Sequence, residues 1–220
     1  GMLIPEALGG GGQSLAEAAL VYEKLGEFLA PVPHFVSSVI SARILMQVGN
    51  PEQQAEWLGK IASGDAILTP AWLEPDRGFG EIGVQLKAVA DGDDFLLTGV
   101  KRHVYFASAA DRLIVLARSQ EGVDLFLVDP SAEGVTLSQQ YSQSGDAQYR
   151  LDMSNVRVSG NARLGSAGTG WGTFNQVLHE GIILLAAQAI GGAQKVLDIT
   201  VEYSKERVQF DKPLGAFQAL

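Results

Sequence analysis

The spacing of polar and apolar residues changes character twice along the chain. From Leu15 the apolar positions recur at helical intervals through Leu20, Val21, Leu25 and Leu29. Ser14-Leu15-Ala16-Glu17 opens this run as a capping box, in which the glutamate reaches back to the amide of the N-cap serine. Pro31 and Pro33 break the pattern, and a second helical stretch is predicted from about Val36 to Val48. Asn50-Pro51-Glu52 starts a third helix, with asparagine as N-cap and proline in the first turn, and Gly64 ends it. Between about Ala66 and Val158 the runs shorten, and Gly, Asp, Pro and Ser clusters separate them. Asp91-Gly92-Asp93-Asp94 lies between Val84–Val89 and Phe95–Val100 and predicts a hairpin. Leu113–Ala117, Asp124–Val128, Val135–Ser138 and Val156–Val158 are further strand candidates. From about Trp171 to Lys205 the pattern is helical again, and residues 182–193 are apolar or small on nearly every face, which predicts a helix buried on most sides. Ala186, Ala187, Ala189, Gly191, Gly192 and Ala193 would admit close helix neighbours.

The order predicts an α+β protein: a helical N-terminal part over 1–65, a central antiparallel β-barrel or sandwich over 66–165, and the start of a C-terminal helical bundle over 166–220. A chain of 220 residues with 46% hydrophobic residues can bury a sizeable core. Its net charge of −9 argues against nucleic acid or an anionic membrane as the main partner. The absence of cysteine rules out disulfides, thiolate catalysis and cysteine-ligated metals, and fits a reducing compartment. His34, His103 and His179 stand in no metal-ligand spacing. Gly1-Met2 reads as a protease scar before a start codon, no signal peptide follows, and the apolar run from Gly181 to Ala193 falls short of the ~20 residues of a bilayer span. A cytoplasmic protein is expected.

No catalytic constellation stands out. Gly165–Gly172 is rich in glycine but lacks the Gly-Lys-Ser/Thr ending of a phosphate loop and reads as a flexible link. Asp91–Asp94 is better explained by a solvated turn than by a metal site. His103 sits between Lys101-Arg102 and an aromatic run, as a partly buried strand histidine would. His179 and Glu180 are adjacent on a helix, point about 100° apart and form no dyad. The closing segment, Arg207 to Gln218, carries an arginine and two phenylalanines at fixed spacing. Arg207 with Phe210 suits a phosphate beside a stacked ring, or equally a helix-end cation facing a carboxylate. Its apolar residues find no partners before the chain stops, so the chain reads as part of a larger protein.

Four segments together resemble the acyl-CoA dehydrogenase family over nearly the whole chain. Ile4-Pro5-Glu6 with Gly9-Gly10 is similar to the family's Pro-Glu-x-x-Gly-Gly loop. Ala71-Trp72-Leu73-Glu74-Pro75-Asp76-Arg77-Gly78-Phe79-Gly80 resembles the Ala-Leu-Thr-Glu-Pro-x-x-Gly-Ser-Asp flavin loop. Gly99-Val100-Lys101 with His103-Val104-Tyr105 resembles the Gly-Thr-Lys-x-Trp-Ile-Thr strand, and Arg207, Phe210, Pro213, Phe217 and Gln218 match the family's Arg-x-x-Phe-x-x-Pro-x-x-x-Phe-Gln signature. The resemblance implies FAD as cofactor, an acyl-CoA substrate, transfer of the β-hydride to the flavin, an electron-transfer flavoprotein as electron acceptor and a homo- or hetero-oligomer. It implies flavin-site roles for Trp72, Leu73, Gly78, Phe79, His103, Tyr105, Arg207, Phe210 and Gln218. The catalytic glutamate would fall either beyond residue 220 or at the position of Gly181, one residue from Glu180, so no base is assigned.

The departures are specific. Leu73 stands where the loop threonine bonds the flavin, Phe79 and Gly80 replace Ser-Asp, His103 replaces the tryptophan on the flavin, and Tyr105 replaces a threonine. The Asp-x-x-Arg that touches CoA reads His179-Glu180-Gly181-Ile182. Each lost hydrogen bond to a charged ligand costs about 1.5–3 kcal/mol. Keeping the closing segment while losing the loop contacts suggests a partner subunit that completes a neighbour's flavin site. A flavin monooxygenase of the same architecture and a purely structural subunit are the alternatives.

Overall fold

The capping box at Ser14 forms as predicted: the Ser14 amide donates to Glu17 Oε2 at 2.7 Å, and the Glu17 amide donates back to Ser14 Oγ at 3.5 Å. It starts helix α1 (Leu15–Glu27). The polypeptide is described here from a computed structural model over residues 1–217, which leaves Gln218 outside the described residues. Two compact units emerge, one built from residues 1–13 and 31–181, the other from residues 14–30 and the chain from Ile182 onward.

In the first unit the predicted second helix is two elements, a π-helical stretch Phe35–Ser41 followed by α2 (Ala42–Val48). The Ser41 hydroxyl donates to the Val36 carbonyl at 2.7 Å, which occupies a backbone acceptor that an α-helical turn would use differently. Helix α3 (Pro51–Ser63) has Asn50 as its N-cap in a reciprocal pair with Gln53 and ends at Gly64, in the left-handed conformation. Gln53 also donates to the Asn161 carbonyl at 2.9 Å, which ties this helix to the sheet.

The strands are β1 (Leu68–Ala71), β2 (Lys87–Asp91), β3 (Asp94–Tyr105), β4 (Arg112–Arg118), β5 (Val123–Val128), β6 (Val135–Gln140), β7 (Gln148–Ser159) and β8 (Arg163–Leu164). They form one eight-stranded sheet in the order β6-β7-β3-β2-β4-β5-β8, with β1 added to β4. The predicted hairpin is β2–β3, with Asp91 opposite Asp94. Two expectations need correction. The sheet is mixed rather than antiparallel, because β1 runs parallel to β4 and β2 also meets β4 in parallel at Lys87 and Arg118. It is also open: among the described residues the outer strands β6 and β8 do not pair, so no barrel closes. Parallel neighbours need a crossover and leave no turn signal in the sequence, which is why local pattern pointed to hairpins alone. Leu97, Leu113, Val115, Phe126, Leu151 and Val156 make the centre of the core, each fully buried.

Helix α4 (Gly170–Glu206) spans 37 residues. Its first three turns belong to the first unit, where Phe174 and Val177 are buried. By length and composition it could cross a membrane, a property that core helices share. In the second unit it lies against α1 through glycines. A Cβ on Gly26 would stand 1.8 Å from the Gln188 carbonyl oxygen, and one on Gly191 would stand 1.8 Å from that of Glu23. Backbone meets backbone at both points. Gly26→Val is expected to destabilise this unit by about 1–3 kcal/mol, the range of overpacking at a site whose neighbours cannot yield; hydrogen exchange of the α1 amides should report it, and unchanged protection would show that the helices can part freely.

The expectation that residues 182–193 are buried on most sides does not hold. Leu184 and Ala187 are covered, but Ile182, Ile183 and Leu185 are exposed and Ile190 is 61% exposed. Apolar composition states which faces seek cover; within this unit α1 covers only one stripe. The chain closes with a two-stranded turn, β9 (Val208–Gln209) and β10 (Lys212–Pro213).

Candidate functional site

Strand β1 delivers the chain to Trp72, where a loop leaves the sheet and returns at Leu86. Trp72 packs its ring 6.2 Å from Phe79 and 5.3 Å from Phe174, and Phe174 in turn lies 6.0 Å from Trp171. Phe79 is 70% exposed, next to Gly78, whose missing Cβ faces open space. Leu73 presents no polar side chain, and its carbonyl accepts from the Arg102 amide at 2.9 Å.

Two residues not singled out as site candidates anchor this loop. Lys101 is fully buried, and its ammonium donates to Glu74 Oε1 at 2.7 Å and to the Trp72 carbonyl at 3.3 Å. Glu74 Oε1 also accepts from the amides of Gln85 and Leu86, both at 2.8 Å. Burial lowers the Lys101 pKa to about 8, against the opposing pull of Glu74. A signal was present: Leu97, Gly99 and Lys101 share one face of β3 by the two-residue period, and Leu97 has no exposure.

His103 adopts φ 53° inside a bulge of β3 between Lys101 and Val104. Its amide donates to Gln140 Oε1 and its Nδ1 lies against Gln148 Oε1, both at 2.7 Å. A non-glycine residue in the left-handed region at a bulge is held there by such contacts. Tyr105, two residues on, is half-exposed; burial and then Asp146 raise its pKa, so its hydroxyl keeps its proton at neutral pH. Trp72, Leu73, Gly78, Phe79, His103 and Tyr105 all belong to the first unit.

Arg207 and Phe210 belong to the second. The Arg207 carbonyl accepts from Leu214 at 2.9 Å, closing the terminal turn, and its side chain is exposed with no partner among the described residues. Phe210 is 87% exposed, its ring 6.4 Å and edge-on to Phe217, over which Lys212 sits at 4.1 Å.

The region weighed for a catalytic carboxylate is occupied otherwise. Glu180 accepts from Arg43 Nε at 2.9 Å and from Gln176 Nε2 at 3.1 Å, while His179 is exposed. A Cβ on Gly181 would meet Ile40 Cδ1 at 2.9 Å and the Phe35 ring at 3.2 Å. In the glycine-rich link the Gly168 amide donates to Asp124 Oδ1 at 2.7 Å, which holds the start of α4 to β5.

Helices, an open mixed sheet with a braced loop, and a long helix ending in an arginine–aromatic turn define a helix–sheet–helix class. Comparison with known proteins agrees in order and extent. The acyl-CoA dehydrogenase N-terminal domain matches residues 1–65, the middle domain residues 71–157 and the C-terminal domain residues 168–220. "Acyl-CoA dehydrogenase FadE27" of Mycobacterium tuberculosis is 33% identical over 98% of this chain and 56% of its own length. The crystal structure of the ChsE4-ChsE5 complex from Mycobacterium tuberculosis superposes with a TM-score of 0.88 at 31% identity, over 99% of this chain and 57% of that one. A glutaryl-CoA dehydrogenase from Mycobacterium smegmatis in complex with FADH2 superposes with a TM-score of 0.83 at 30% identity, over 91% and 53%. The chain belongs to the acyl-CoA dehydrogenase family. It spans somewhat more than half the length of these relatives.

The residues present fit FAD unevenly. Arg207 and Phe210, both open, suit the phosphates and the ring of such a ligand. The loop offers Trp72 and His103 as ring surfaces and Tyr105 as a hydroxyl, but Leu73 and Phe79 bring it no donor.

Proposed function

We propose that the complete protein is a subunit of an FAD-dependent acyl-CoA dehydrogenase, acting on the α,β-carbons of an acyl-CoA thioester. The ordered match of three family domains carries this reading. Bound FAD supplies the hydride acceptor. In the second unit Arg207 would hold a phosphate and Phe210 would stack on a ring; in the first, Trp72 and His103 would each offer a ring surface to a flavin. Tyr105, protonated at neutral pH, donates or accepts one hydrogen bond and abstracts no proton. Glu180 pairs with Arg43, and no base is assigned among these residues. An electron-transfer flavoprotein as electron acceptor, and assembly into an oligomer, follow from the same reading.

A second reading is favoured by the loop itself. Leu73 and the Trp72–Phe79 pair put apolar surface where a flavin would need donors, so the chain would complete the flavin site of a neighbouring subunit rather than fill its own. The similarity to the ChsE4-ChsE5 complex supports this heteromeric form. Released-flavin absorbance of the purified complete protein separates the two. Near one FAD per subunit supports an autonomous dehydrogenase; no FAD alone, with FAD on co-expression with a second subunit, supports the heteromer. Absence of FAD in both settings sinks the flavoenzyme proposal. Leu73→Thr alone is expected to leave dehydrogenase turnover within about twofold, since one hydroxyl restores one contact of several; a large gain on acyl-CoA reduction of flavin would overturn that.

A further inference from the structure

Between Trp72 and Leu86 the backbone is tied down at both ends by cations reaching out of the sheet. At the start, three successive residues are anchored to β3: the Trp72 carbonyl by Lys101 Nζ, the Leu73 carbonyl by the Arg102 amide and the Glu74 carboxylate by Lys101. At the return, Arg118 of β4 donates from Nε to the Val84 carbonyl at 2.8 Å, from Nη2 to the Glu81 carbonyl at 2.7 Å and from its amide to the Leu86 carbonyl at 2.7 Å. Glu74 joins the two ends by accepting from Gln85 and Leu86. The tip, Asp76 to Gly80, is exposed, held by the Phe79 ring against Trp72 and by the Gly80 carbonyl, which accepts from the Gly83 amide at 2.8 Å.

The placement of Lys101 is costly for stability. It fills a position of β3 that shares its face with buried Leu97, where a methionine would pack without carrying a charge out of water. Its lowered pKa agrees that the fold disfavours the ammonium. A charge kept at such a site is accounted for by what it holds in place rather than by the energy it adds.

We propose that Lys101 and Glu74 are positioning residues: their ion pair closes the neck of the 75–84 loop and sets where Gly78 and Phe79 stand in the flavin site. The proposal rests on the reading of this loop as the flavin-facing one. The pair acts by fixing the Trp72 and Glu74 backbone in register with Gln85 and Leu86, so that the tip is carried on a rigid neck.

The test compares the complete protein with its Lys101→Met/Glu74→Gln double variant and with Glu74→Gln alone. The double variant keeps side-chain volume and leaves no unpaired buried charge, so global unfolding should occur at the same or higher denaturant concentration. Limited trypsin digestion, run on flavin-free protein throughout, then reads the tip through cleavage after Arg77, with cleavage after Arg207 in the other unit as the internal clock. We expect the Arg77 cut to quicken about tenfold relative to that clock in the double variant, with FAD affinity about tenfold weaker by flavin fluorescence. Glu74→Gln, which keeps the acceptor for the two amides, should fall between. An Arg77 rate unchanged in both variants overturns the proposal whatever happens to flavin. A faster Arg77 cut in a parent protein that binds no FAD, alone or with a partner subunit, upholds the neck clamp and overturns the flavin reading of the loop.

Discussion

Glu74→Leu, made with Lys101 left in place, is expected to lower the unfolding free energy by about 3–5 kcal/mol, the cost of stranding one member of a buried ion pair. The carboxylate is buried and meets three donors, the Lys101 ammonium and the amides of Gln85 and Leu86. Leucine leaves the two amides unanswered and the ammonium with only the Trp72 carbonyl in a dry site. The loss should depend on pH in a defined direction. In the parent protein Lys101 titrates near 8 instead of its ordinary 10.5, so between those values the unfolded chain binds more protons and stability rises with pH. Glu74 raises that pKa by its charge and its hydrogen bond. Without it Lys101 gives up its proton at lower pH, and the variant begins to recover stability earlier. The gap between the two urea midpoints should therefore be wider at pH 6 than at pH 8. A gap that is the same at both would show that Lys101 finds another partner when Glu74 is gone.

The second large effect is expected at the other end of the chain. Arg207→Ala should weaken FAD retention by the assembled complete protein about 10- to 100-fold, the equivalent of one charge-assisted contact of about 1.5–3 kcal/mol. The side chain is exposed and meets no carboxylate among the described residues, so the helix-end ion pair that the sequence equally allowed does not occupy it. Equilibrium dialysis of flavin against parent and variant measures the change directly. Equal retention would return Arg207 to the role of a solvated helix-end cation. Gln218, given a flavin role with it, lies outside the described residues.

Sequence and structure agree best where the determining contacts are local. Ser14 with Glu17 and Asn50 with Gln53 cap their helices through partners three residues away, and Gly64 ends α3 by its own conformational freedom. The Asp91–Asp94 hairpin likewise pairs residues only three apart. Strand β7 shows where this stops. Val156–Val158 alone was read as a strand, although Tyr149, Leu151 and Met153 also alternate with Arg150, Asp152 and Ser154; Asn155, at φ 49°, breaks the period between the two stretches, and pairing with β3 and β6 joins them into one strand. Strand β1, Leu68–Ala71, went unrecognised for a related reason: it is short, contains Pro70, and is held by parallel pairing to residues some 44 positions away.

The candidate site divides along the same line. The residue types at 73, 79, 103 and 207 were readable one by one, and so were their departures from the family pattern. What they touch was not. That Trp72 meets Phe79 and Phe174, that two glutamines from β6 and β7 capture His103, and that Glu180 is taken by Arg43 all depend on elements far apart in the chain. The sequence by itself determined the capped ends of α1 and α3, the hairpin and the family, because each is written in neighbouring residues or in the order of motifs. Tertiary structure alone decided that the sheet is open and that Lys101 is buried against Glu74. Those outcomes turn on which distant surface covers a side chain, and burial is a property of the assembled fold, not of any stretch of the chain.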